Sequence, residues 1–513
     1  MKHKNPLIQG ALLLTVAGFI TRIIGFFYRI FLSRTIGAEG MGLYQLIFPI
    51  YGVVSSISIA PIETSISRYV AAEQSARRSK GAHNTLFAGL FLSLSVTIVL
   101  SVLVFFNAGW IAAEFVKESR CVLLVQILAF AMPLSSIHAC INGYYYGIQK
   151  ASVPSVSQLA EQIIRVLAVY IMTTVSLANN SEVTPVLAVT GLVLGEGASM
   201  LYCIISINIH LHKSRKAAGN ISHTCTPGFS KQLKNIFAFS VPLSVNRLLL
   251  SILHSIEAVL IPIQLRLFGL ADSAAVSMFG VFTGMAMPFI QFPSAIPNAI
   301  AVMLLPEVAA AAETGGMNNT KGNLKLARSS ESGIRYSLLL GILCIGIFLV
   351  FGNDMGKLIF NNKLAGLYIT ILSWLCPFLY LTTTLGSILN GLGDTTAAFI
   401  HSVISVLIRL AFVFFAIPVY GIISYLWGTL VSQCVITLLH YLTIRKKVSL
   451  QFNAMRLIVW PTVILMLSLL ITKVFSMPLM HLGINPTILL VAKCGITGLI
   501  YLALLQNFKL LTQ

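Results

Sequence analysis

Residues 84–107 read NTLFAGLFLSLSVTIVLSVLVFFN, a run of 24 residues that contains no charged side chain. About 20 such residues, wound as an α-helix, cross the hydrocarbon core of a bilayer. The rest of the chain has the same character, because 57% of its 513 residues are hydrophobic and only 10% are charged. Soluble domains carry about 25% charged residues. The composition therefore excludes a soluble enzyme, a secreted disulfide scaffold and a disordered protein, and it predicts an integral membrane protein.

Thirteen further segments of similar length and character predict an all-α protein with fourteen spanning helices. The predicted spans are 8–33, 41–68, 84–107, 121–146, 154–177, 184–209, 235–262, 274–306, 333–352, 365–390, 396–416, 419–444, 457–475 and 486–506. The loops between them are mostly short, which leaves little room for a soluble domain.

The distribution of basic residues orients these spans. If the N-terminus is cytoplasmic, 21 of the 34 Lys and Arg residues fall in cytoplasmic segments, seven in external segments and six inside spans. This threefold bias is the positive-inside pattern of the cytoplasmic membrane, and it predicts that both termini are cytoplasmic. The net charge of +19 thus reflects topology, so we expect no nucleic-acid partner.

The chain carries a weak internal repeat. Pro133 in span four precedes Arg165 in span five by 32 residues, and Pro377 in span ten precedes Arg409 in span eleven by the same interval. Spans two and eight are both long and interrupted by proline, and repeated halves with matching broken helices are typical of secondary transporters. We predict a six-helix lobe, a basic cytoplasmic linker, a second six-helix lobe and two further helices at 1–212, 213–234, 235–444 and 445–513.

Several arginines are predicted inside spans, where an ionisable group is costly and usually faces a bundle interior or a wet cavity. They are Arg22, Arg29, Arg165, Arg247 and Arg409. Arginine binds phosphate oxygens through several donors, so these side chains are candidates for binding an anionic headgroup. The alternative is that Arg29 reaches the membrane interface and Arg22 pairs with an internal carboxylate.

Four glutamates are also predicted inside spans: Glu63, Glu161, Glu196 and Glu257. A carboxylate at this depth can carry a proton or a sodium ion and couple transport to a gradient, or it can pair with an arginine. Glu161 stands four residues before Arg165, in the order that favours a helical ion pair. His138, His254 and His401 are isolated in the sequence, and we interpret them as polar core or cavity groups. No metal site, cofactor or catalytic set is predicted.

Several stretches resemble known transporters. Residues 21–26 (TRIIGF) and 36–38 (IGA) are similar to the opening of the lipid II flippase family. Residues 142–147 (NGYYYG), 161–166 (EQIIRV) and 195–196 (GE) resemble the stage V sporulation protein B family more closely. The resemblance covers nearly the whole chain and identifies it as a member of the multidrug/oligosaccharidyl-lipid/polysaccharide exporter superfamily.

This resemblance implies two six-helix lobes with alternating access and two C-terminal helices that accommodate a lipid tail. It implies a substrate in which a saccharide is linked to undecaprenyl pyrophosphate, as in the precursors of cell-wall or spore-cortex peptidoglycan. Arg22 aligns with a functionally important arginine of the lipid II flippases. A second such arginine falls on Tyr28, with Arg29 one position away.

The leading hypothesis is a flippase, not an enzyme, in which the pyrophosphate docks on Arg22 and the other four arginines named above are further candidates. Its partners are the lipid-linked saccharide, the bilayer and cell-wall synthesis enzymes. Two alternatives stay open. One is a cation-coupled multidrug antiporter that uses the buried glutamates, and the other is a non-transporting membrane scaffold for cell-wall synthesis.

Overall fold

The computed structural model describes the backbone of residues 6–76, 78–217, 228–314, 320–450, 453–480, 485–508 and 510. Within these ranges the chain is helical and contains no β-strand. The middle of the predicted linker, residues 218–227, lies outside the described residues. The predicted all-α fold is confirmed for the part of the chain that is described.

Fourteen helices in the described ranges are long and apolar enough to cross a membrane, as predicted. They are α1 Leu13–Thr35, α2 Gly37–Ser75, α3 Ser79–Phe106, α4 Ser119–Gly147, α5 Ser152–Ala178, α6 Pro185–Lys213, α7 Phe229–Leu267, α8 Asp272–Leu305, α9 Leu326–Phe360, α10 Lys363–Gly391, α11 Thr395–Tyr420, α12 Ile422–Arg445, α13 Met455–Met477 and α14 Pro486–Asn507. The chain is therefore a multi-pass membrane protein. The cytoplasmic placement of both termini stays a prediction.

The second span is broken, as its prolines predict. α2 consists of the pieces Gly37–Leu46, Phe48–Ser58 and Ala60–Ser75. Pro49 and Pro61 each lie in the first turn of the piece after a break, where the amide that proline lacks would have no intrahelical partner. Proline therefore restarts the helix at each break without a further loss of hydrogen bonds.

The eighth span is also broken, as predicted. α8 contains a π-helical turn at Val281–Ala286 and a 3-10 turn at Phe292–Ser294. Pro288 and Pro293 lie at or next to these irregular turns. Irregular backbone at membrane depth is tolerated where protein or water satisfies its polar groups, so such breaks are compatible with a cavity-lining role.

The chain divides into two compact units, Met1–Val259 (unit 1) and Leu260–Gln513 (unit 2), and the boundary falls within α7. In unit 1 a buried core forms around Ile66, Leu86 and Tyr144, which belong to α2, α3 and α4. The lobe and linker boundaries given above stay a prediction, because the division into units does not test them.

The two extra helices belong to unit 2. Leu465 of α13 and Tyr501 of α14 share a buried cluster with Leu339 and Ile342 of α9. The Tyr501 hydroxyl also donates a hydrogen bond to the backbone oxygen of Leu339 at 3.2 Å. Because these contacts are buried, α13 and α14 are packed parts of unit 2.

The Asn-Gly pairs of the internal repeat mark close helix contacts in both units. A Cβ atom at Gly143 in α4 would lie 2.7 Å from the backbone oxygen of Glu63 in α2. A Cβ atom at Gly391 in α10 would lie 2.9 Å from the Val308 side chain and 3.1 Å from the backbone oxygen of Leu305 in α8. Glycine permits such approaches between spanning helices, so the repeat extends from sequence to helix packing.

Candidate substrate site and intramembrane charge cluster

Three helices of unit 1 bring together four ionisable side chains, which we call the charge cluster: His138 of α4, Glu161 and Arg165 of α5, and Glu196 of α6. The His138 Nε2 atom lies 2.6 Å from Glu196 Oε2, and Arg165 donates a hydrogen bond to Glu161. Arg165 Nη2 also approaches Glu196 Oε1 to 3.9 Å. The four side chains are only 7–20% exposed, so the cluster is nearly enclosed by protein.

Two glycines explain why α6 comes so close to α5 at this level. A Cβ atom at Gly191 would lie 2.1 Å from Val169 Cγ2, and one at Gly195 would lie 2.8 Å from the backbone oxygen of Glu161. Small residues four apart let spanning helices approach along one face. Because Glu196 directly follows Gly195, this close approach of the helices places the Glu196 carboxylate 3.9 Å from the Arg165 guanidinium.

The cluster has some features of a cation site. The ligand atoms of His138, Glu161 and Glu196 lie within 4.8 Å of one another. Arg165, however, already supplies a positive charge to Glu161 at hydrogen-bond range and to Glu196 at 3.9 Å. A divalent metal ion would be repelled by that guanidinium at short range in a medium of low dielectric constant. We therefore interpret the cluster as an ion-pair network.

The three histidines that are isolated in the sequence each have a partner in the structure, through tertiary packing or helix geometry. His138 belongs to the charge cluster. His254 Nδ1 lies 3.3 Å from Glu257 in the next turn of α7. In unit 2 the Nδ1 atoms of His401 in α11 and His440 in α12 are 3.0 Å apart. The sequence spacing indicates only the His254 pair, since the other partners lie on different helices.

A cavity of about 680 Å³ lies between α2 and α7 in unit 1. Its lining includes Tyr51, Ser55 and Ser56 of α2 and Arg247 and His254 of α7, with apolar side chains among them. The volume lies within the range of about 300–1,000 Å³ that is usual for small-molecule sites. One guanidinium and several hydroxyls in an apolar wall can bind a polar anionic group.

Tyr51 connects this cavity to the charge cluster. The Tyr51 hydroxyl is hydrogen-bonded to Ser135 Oγ of α4 at 2.7 Å, and the side chain lies within electrostatic range of the cluster. Glu63 of α2 lies within electrostatic range of both His138 and Arg247. A change of charge in the cavity therefore alters the electrostatic potential at the charge cluster, and a change of charge in the cluster alters the potential in the cavity.

The structure separates the five predicted arginines. Arg165 lies in the charge cluster, with Arg29 of α1 within electrostatic range. Arg247 lines the cavity. Arg22 is exposed on α1, and no side chain in the described ranges forms an ion pair with it. Arg409 lies in unit 2.

The predicted glutamates differ in their partners. Glu161 and Glu196 belong to the charge cluster, and Glu257 pairs with His254. Among the described residues, none forms an ion pair with Glu63 or donates a hydrogen bond to its carboxylate. The predicted helical pair of Glu161 and Arg165 is present.

The hydroxyl lining of the cavity escaped the sequence analysis, although α7 carries a signal for it. Arg247, Ser251 and Ser255 are spaced by four residues, and all three line the cavity. Polar residues at this spacing share one face of a helix. A polar stripe on an apolar helix could therefore have been identified. The role of Tyr51 could not, because its partner Ser135 is 84 residues away.

Outside the spans, Asp394 accepts a hydrogen bond from Lys447 Nζ at 2.8 Å. This bond is the main reason that the pKa of Asp394 lies below its ordinary value. Asp394 follows Gly393, whose φ of +77° favours glycine, in the turn between α10 and α11. The pair ties that turn to the end of α12.

Comparison with known sequences gives one family match and several relatives. The polysaccharide biosynthesis protein family matches residues 7–291, which is more than half of the chain. Stage V sporulation protein B of Bacillus subtilis (strain 168) is 27% identical over 449 residues, covering 86% of this chain and 84% of that protein. Lipid II flippase MurJ of the same organism is 23% identical over 427 residues, covering 79% of this chain and 76% of that protein.

Comparison with solved structures identifies the fold. Lipid II flippase MurJ in an inward closed conformation has a TM-score of 0.70 at 14% identity, covering 97% of this chain and 98% of that chain. An inward-facing multidrug resistance MATE family transporter of the MOP superfamily has a TM-score of 0.63 at 15% identity, covering 86% of this chain and 98% of that chain. At this level of identity the likeness shows the shared fold alone.

Proposed function

The chain belongs to the polysaccharide biosynthesis protein family, and from this premise we propose that it is a flippase for saccharides linked to undecaprenyl pyrophosphate. Its substrate would be a precursor of cell-wall or spore-cortex peptidoglycan, moved across the cytoplasmic membrane. The names of two relatives, a sporulation protein and a lipid II flippase, support this class of substrate. Flipping makes and breaks no covalent bond, so we assign no catalytic residue.

The observation that carries the proposal is the cavity in unit 1. Arg247 offers it a permanently charged group with several donors, which suits the oxygens of a pyrophosphate. The hydroxyls of Ser55, Ser56 and Ser251 offer hydrogen bonds of the kind that sugar hydroxyls use. Phe48 and Leu250 supply apolar surface in the same cavity. The cavity thus offers a cation for the pyrophosphate and hydroxyls for the sugars of a polar headgroup within the membrane.

Arg22 and Arg29 remain proposed contacts of the pyrophosphate. Both lie on α1, seven residues apart, and therefore share one face of that helix. Arg29 also lies within electrostatic range of Arg165. A positive potential from these side chains would attract the anionic headgroup, while the long apolar tail stays in lipid near α13 and α14.

Headgroup flipping in proteoliposomes tests the proposal. An undecaprenyl-pyrophosphate-linked saccharide is incorporated, and the exposure of its headgroup to an impermeant reagent is followed in time. We expect flipping by the unaltered protein and a loss of about tenfold or more in initial rate for Arg247→Ala, since hydrogen bonds from a charged group contribute about 1.5–3 kcal/mol each. Arg22→Ala is expected to lower the rate as well.

The matched control is Arg68→Ala, which removes another arginine of unit 1. Arg68 lies over the ring of Phe239 at 4.3 Å and is not part of the cavity lining. The control should keep the rate of the unaltered protein. Equal rates for Arg247→Ala and the unaltered protein would contradict the assignment of the cavity as the headgroup site.

A cation-coupled multidrug antiporter is the second candidate function. The observation that favours it is Glu63, whose carboxylate has no ion pair or hydrogen bond within the described ranges and could meet a cationic drug. Its test is resistance of cells to organic cations, with Glu63→Gln as the variant. Resistance that requires Glu63, together with no headgroup flipping, would favour the antiporter.

A further inference from the structure

We propose that His138 and Glu196 share one exchangeable proton, and that uptake and release of this proton are coupled to movement of the headgroup through unit 1. The coupling rests on the proposed flippase function. The proton site itself rests on the geometry of the charge cluster.

The charge balance of the cluster favours one added proton. Arg165 contributes +1 and the carboxylates of Glu161 and Glu196 contribute −1 each, so the cluster with a neutral His138 has a net charge of −1. One added proton, held between His138 Nε2 and Glu196 Oε2, makes the cluster neutral. Isolated net charge is costly in a site of low dielectric constant, so the enclosed site favours the neutral form.

The bond between these two groups supports a shared proton. Their separation of 2.6 Å is shorter than the usual N–H···O distance of about 2.9–3.0 Å. Hydrogen bonds shorten in this way when donor and acceptor carry opposite charges. The side chain of His138 is only 12% exposed and that of Glu196 only 7%, so water screens the pair weakly.

Two unpaired atoms indicate that the network has a second arrangement. His138 Nδ1 and Arg165 Nε are buried and have no hydrogen-bond partner among the described residues. Buried polar atoms in a purely structural network are nearly always paired. Arg165 is bonded to Glu161 and is 3.9 Å from Glu196, so a short movement of the guanidinium can exchange one carboxylate for the other.

Proton release can be written as a balanced step. The shared proton leaves the bond between His138 and Glu196 and passes to a water molecule, which becomes hydronium. His138 is then neutral, Glu196 is ionised, and Arg165 moves to lie between the two carboxylates. Uptake reverses each of these changes, and only bonds from nitrogen or oxygen to hydrogen break and form.

The helices packed around His138 present few other ionisable groups at its level. α2 contributes Glu63 and Tyr51, whose electrostatic influence reaches the cluster. α3 presents the hydroxyls of Ser93 and Thr97, and Ser93 is hydrogen-bonded to Ser136 of α4 at 2.8 Å. The ionisable residues of α3 in the described ranges, Lys80 and His83, are at its N-terminal end.

Further ionisable groups lie around Arg165. Arg29 and Tyr28 of α1 and Tyr44 of α2 all lie within its electrostatic range. An anion beside Arg29 or Arg247 lowers the local positive potential, and it therefore favours the protonated cluster. By thermodynamic reciprocity the protonated cluster favours the bound anion, which is the physical basis of the coupling.

An imposed pH gradient tests the coupling in the flipping assay. With one proton per substrate, a gradient of one pH unit can change the ratio of headgroups in the two leaflets by up to about tenfold, since one unit is a tenfold change in proton activity. We expect such a change for the unaltered protein. His138→Gln keeps a hydrogen-bonding group at this position but cannot gain a proton, so it should flip without responding to the gradient.

His83→Gln is the matched control, since it changes another histidine of unit 1 that packs against α4, over Tyr144. It should keep the response to the gradient. If the unaltered protein flips headgroups with no response, or if His138→Gln responds as the unaltered protein does, the proton-coupling proposal is overturned while the flippase function stands.

An infrared titration separates failure of the proton site from failure of the flippase. Purified protein in lipid is titrated between pH 5 and pH 9 (about two units either side of neutrality), and the carboxyl and imidazole bands are followed. We expect bands that change with pH and are lost together in Glu196→Gln and in His138→Gln. If these bands are observed but no flipping is detected, the shared proton is supported and the flippase function is contradicted. Spectra of both variants identical to that of the unaltered protein would overturn the shared proton.

Discussion

Arg165 in unit 1 and Arg409 in unit 2 occupy matching places in the internal repeat, each 32 residues after a proline, yet their surroundings differ. Arg165 donates to the carboxylate of Glu161, four residues earlier. Arg409 donates to the hydroxyl of Ser405, also four residues earlier, at 3.2 Å. The helix positions are repeated, while the group bonded four residues earlier is a carboxylate in unit 1 and a hydroxyl in unit 2.

The histidines of the two units also differ in their partners, although they do not occupy matching positions of the repeat. His138 meets the carboxylate of Glu196, whereas His401 meets the imidazole of His440. In unit 1, arginine, histidine and carboxylate thus meet in the charge cluster, whereas the bonds described for Arg409 and His401 go to a hydroxyl and an imidazole. The repeat therefore preserves helix packing, while these bonds differ between the units.

The largest expected effect comes from removing the two arginines in turn. Arg165→Ala leaves two buried carboxylates without their cation, and breaking a buried ion pair in this way costs about 3–5 kcal/mol. In Arg409→Ala the loss of the bond to the Ser405 hydroxyl should contribute about 1 kcal/mol, as for one net hydrogen bond. Denaturant unfolding of both variants in detergent measures the difference. Equal losses of unfolding free energy in the two variants would contradict the expected difference between Arg165 and Arg409.

A second contrast concerns the close helix contacts of the two units. Gly143→Ala would place a methyl group against the backbone of Glu63, which cannot yield easily, and overpacking of this kind costs about 1–3 kcal/mol. Gly391→Ala meets the Val308 side chain first and should cost less. Unfolding free energies decide the order. Gly18→Ala, which has no neighbour within 4 Å, is the control and should be neutral or stabilising.

Glu161→Ser gives unit 1 the residue that unit 2 has at the matching position, Ser405. Arg165 can then turn to Glu196, so we expect a loss of only about 1 kcal/mol, close to that of one net hydrogen bond. The variant is measured in the same unfolding experiment as Arg165→Ala. A loss as large as that of Arg165→Ala would show that Arg165 cannot exchange its partner.

A small pH dependence is expected from one ion pair of unit 2, that of Asp394 with Lys447. The pKa of Asp394 is lowered by Lys447, so the pair stabilises the folded protein above the ordinary pKa of aspartate, about 3.9. This contribution is lost as the pH falls through the lower, folded-state pKa. We expect a few tenths of a kcal/mol, as for other surface pairs. Asp394→Asn should lose it at pH 7 and remove this part of the pH dependence, as unfolding at pH 7 and pH 3 would measure.

Much of the architecture was predictable. The fourteen spans follow from predominantly apolar runs long enough to cross a bilayer, and the breaks in α2 and α8 follow from proline. The pair of Glu161 and Arg165 follows from their spacing on one helix. Each of these is a local property, because a spanning helix satisfies its own backbone hydrogen bonds.

The site was only partly predictable. The sequence identified the glutamates and arginines, but it did not join His138 to Glu196, which is 58 residues away. It also did not separate Arg247, which lines the cavity, from Arg22, which is exposed on α1. Which side of a helix faces a cavity depends on the packing of its neighbours, and no local rule specifies that packing.

The membrane class, the number of spans and the two repeated arginines follow from the sequence, since hydrophobicity, length and spacing act along one chain segment. The gathering of His138, Arg165 and Glu196 in unit 1 follows from tertiary packing. The physical reason is that ion pairing depends on distances between different helices. Those distances are set by close contacts such as that of Gly195 with the backbone of Glu161.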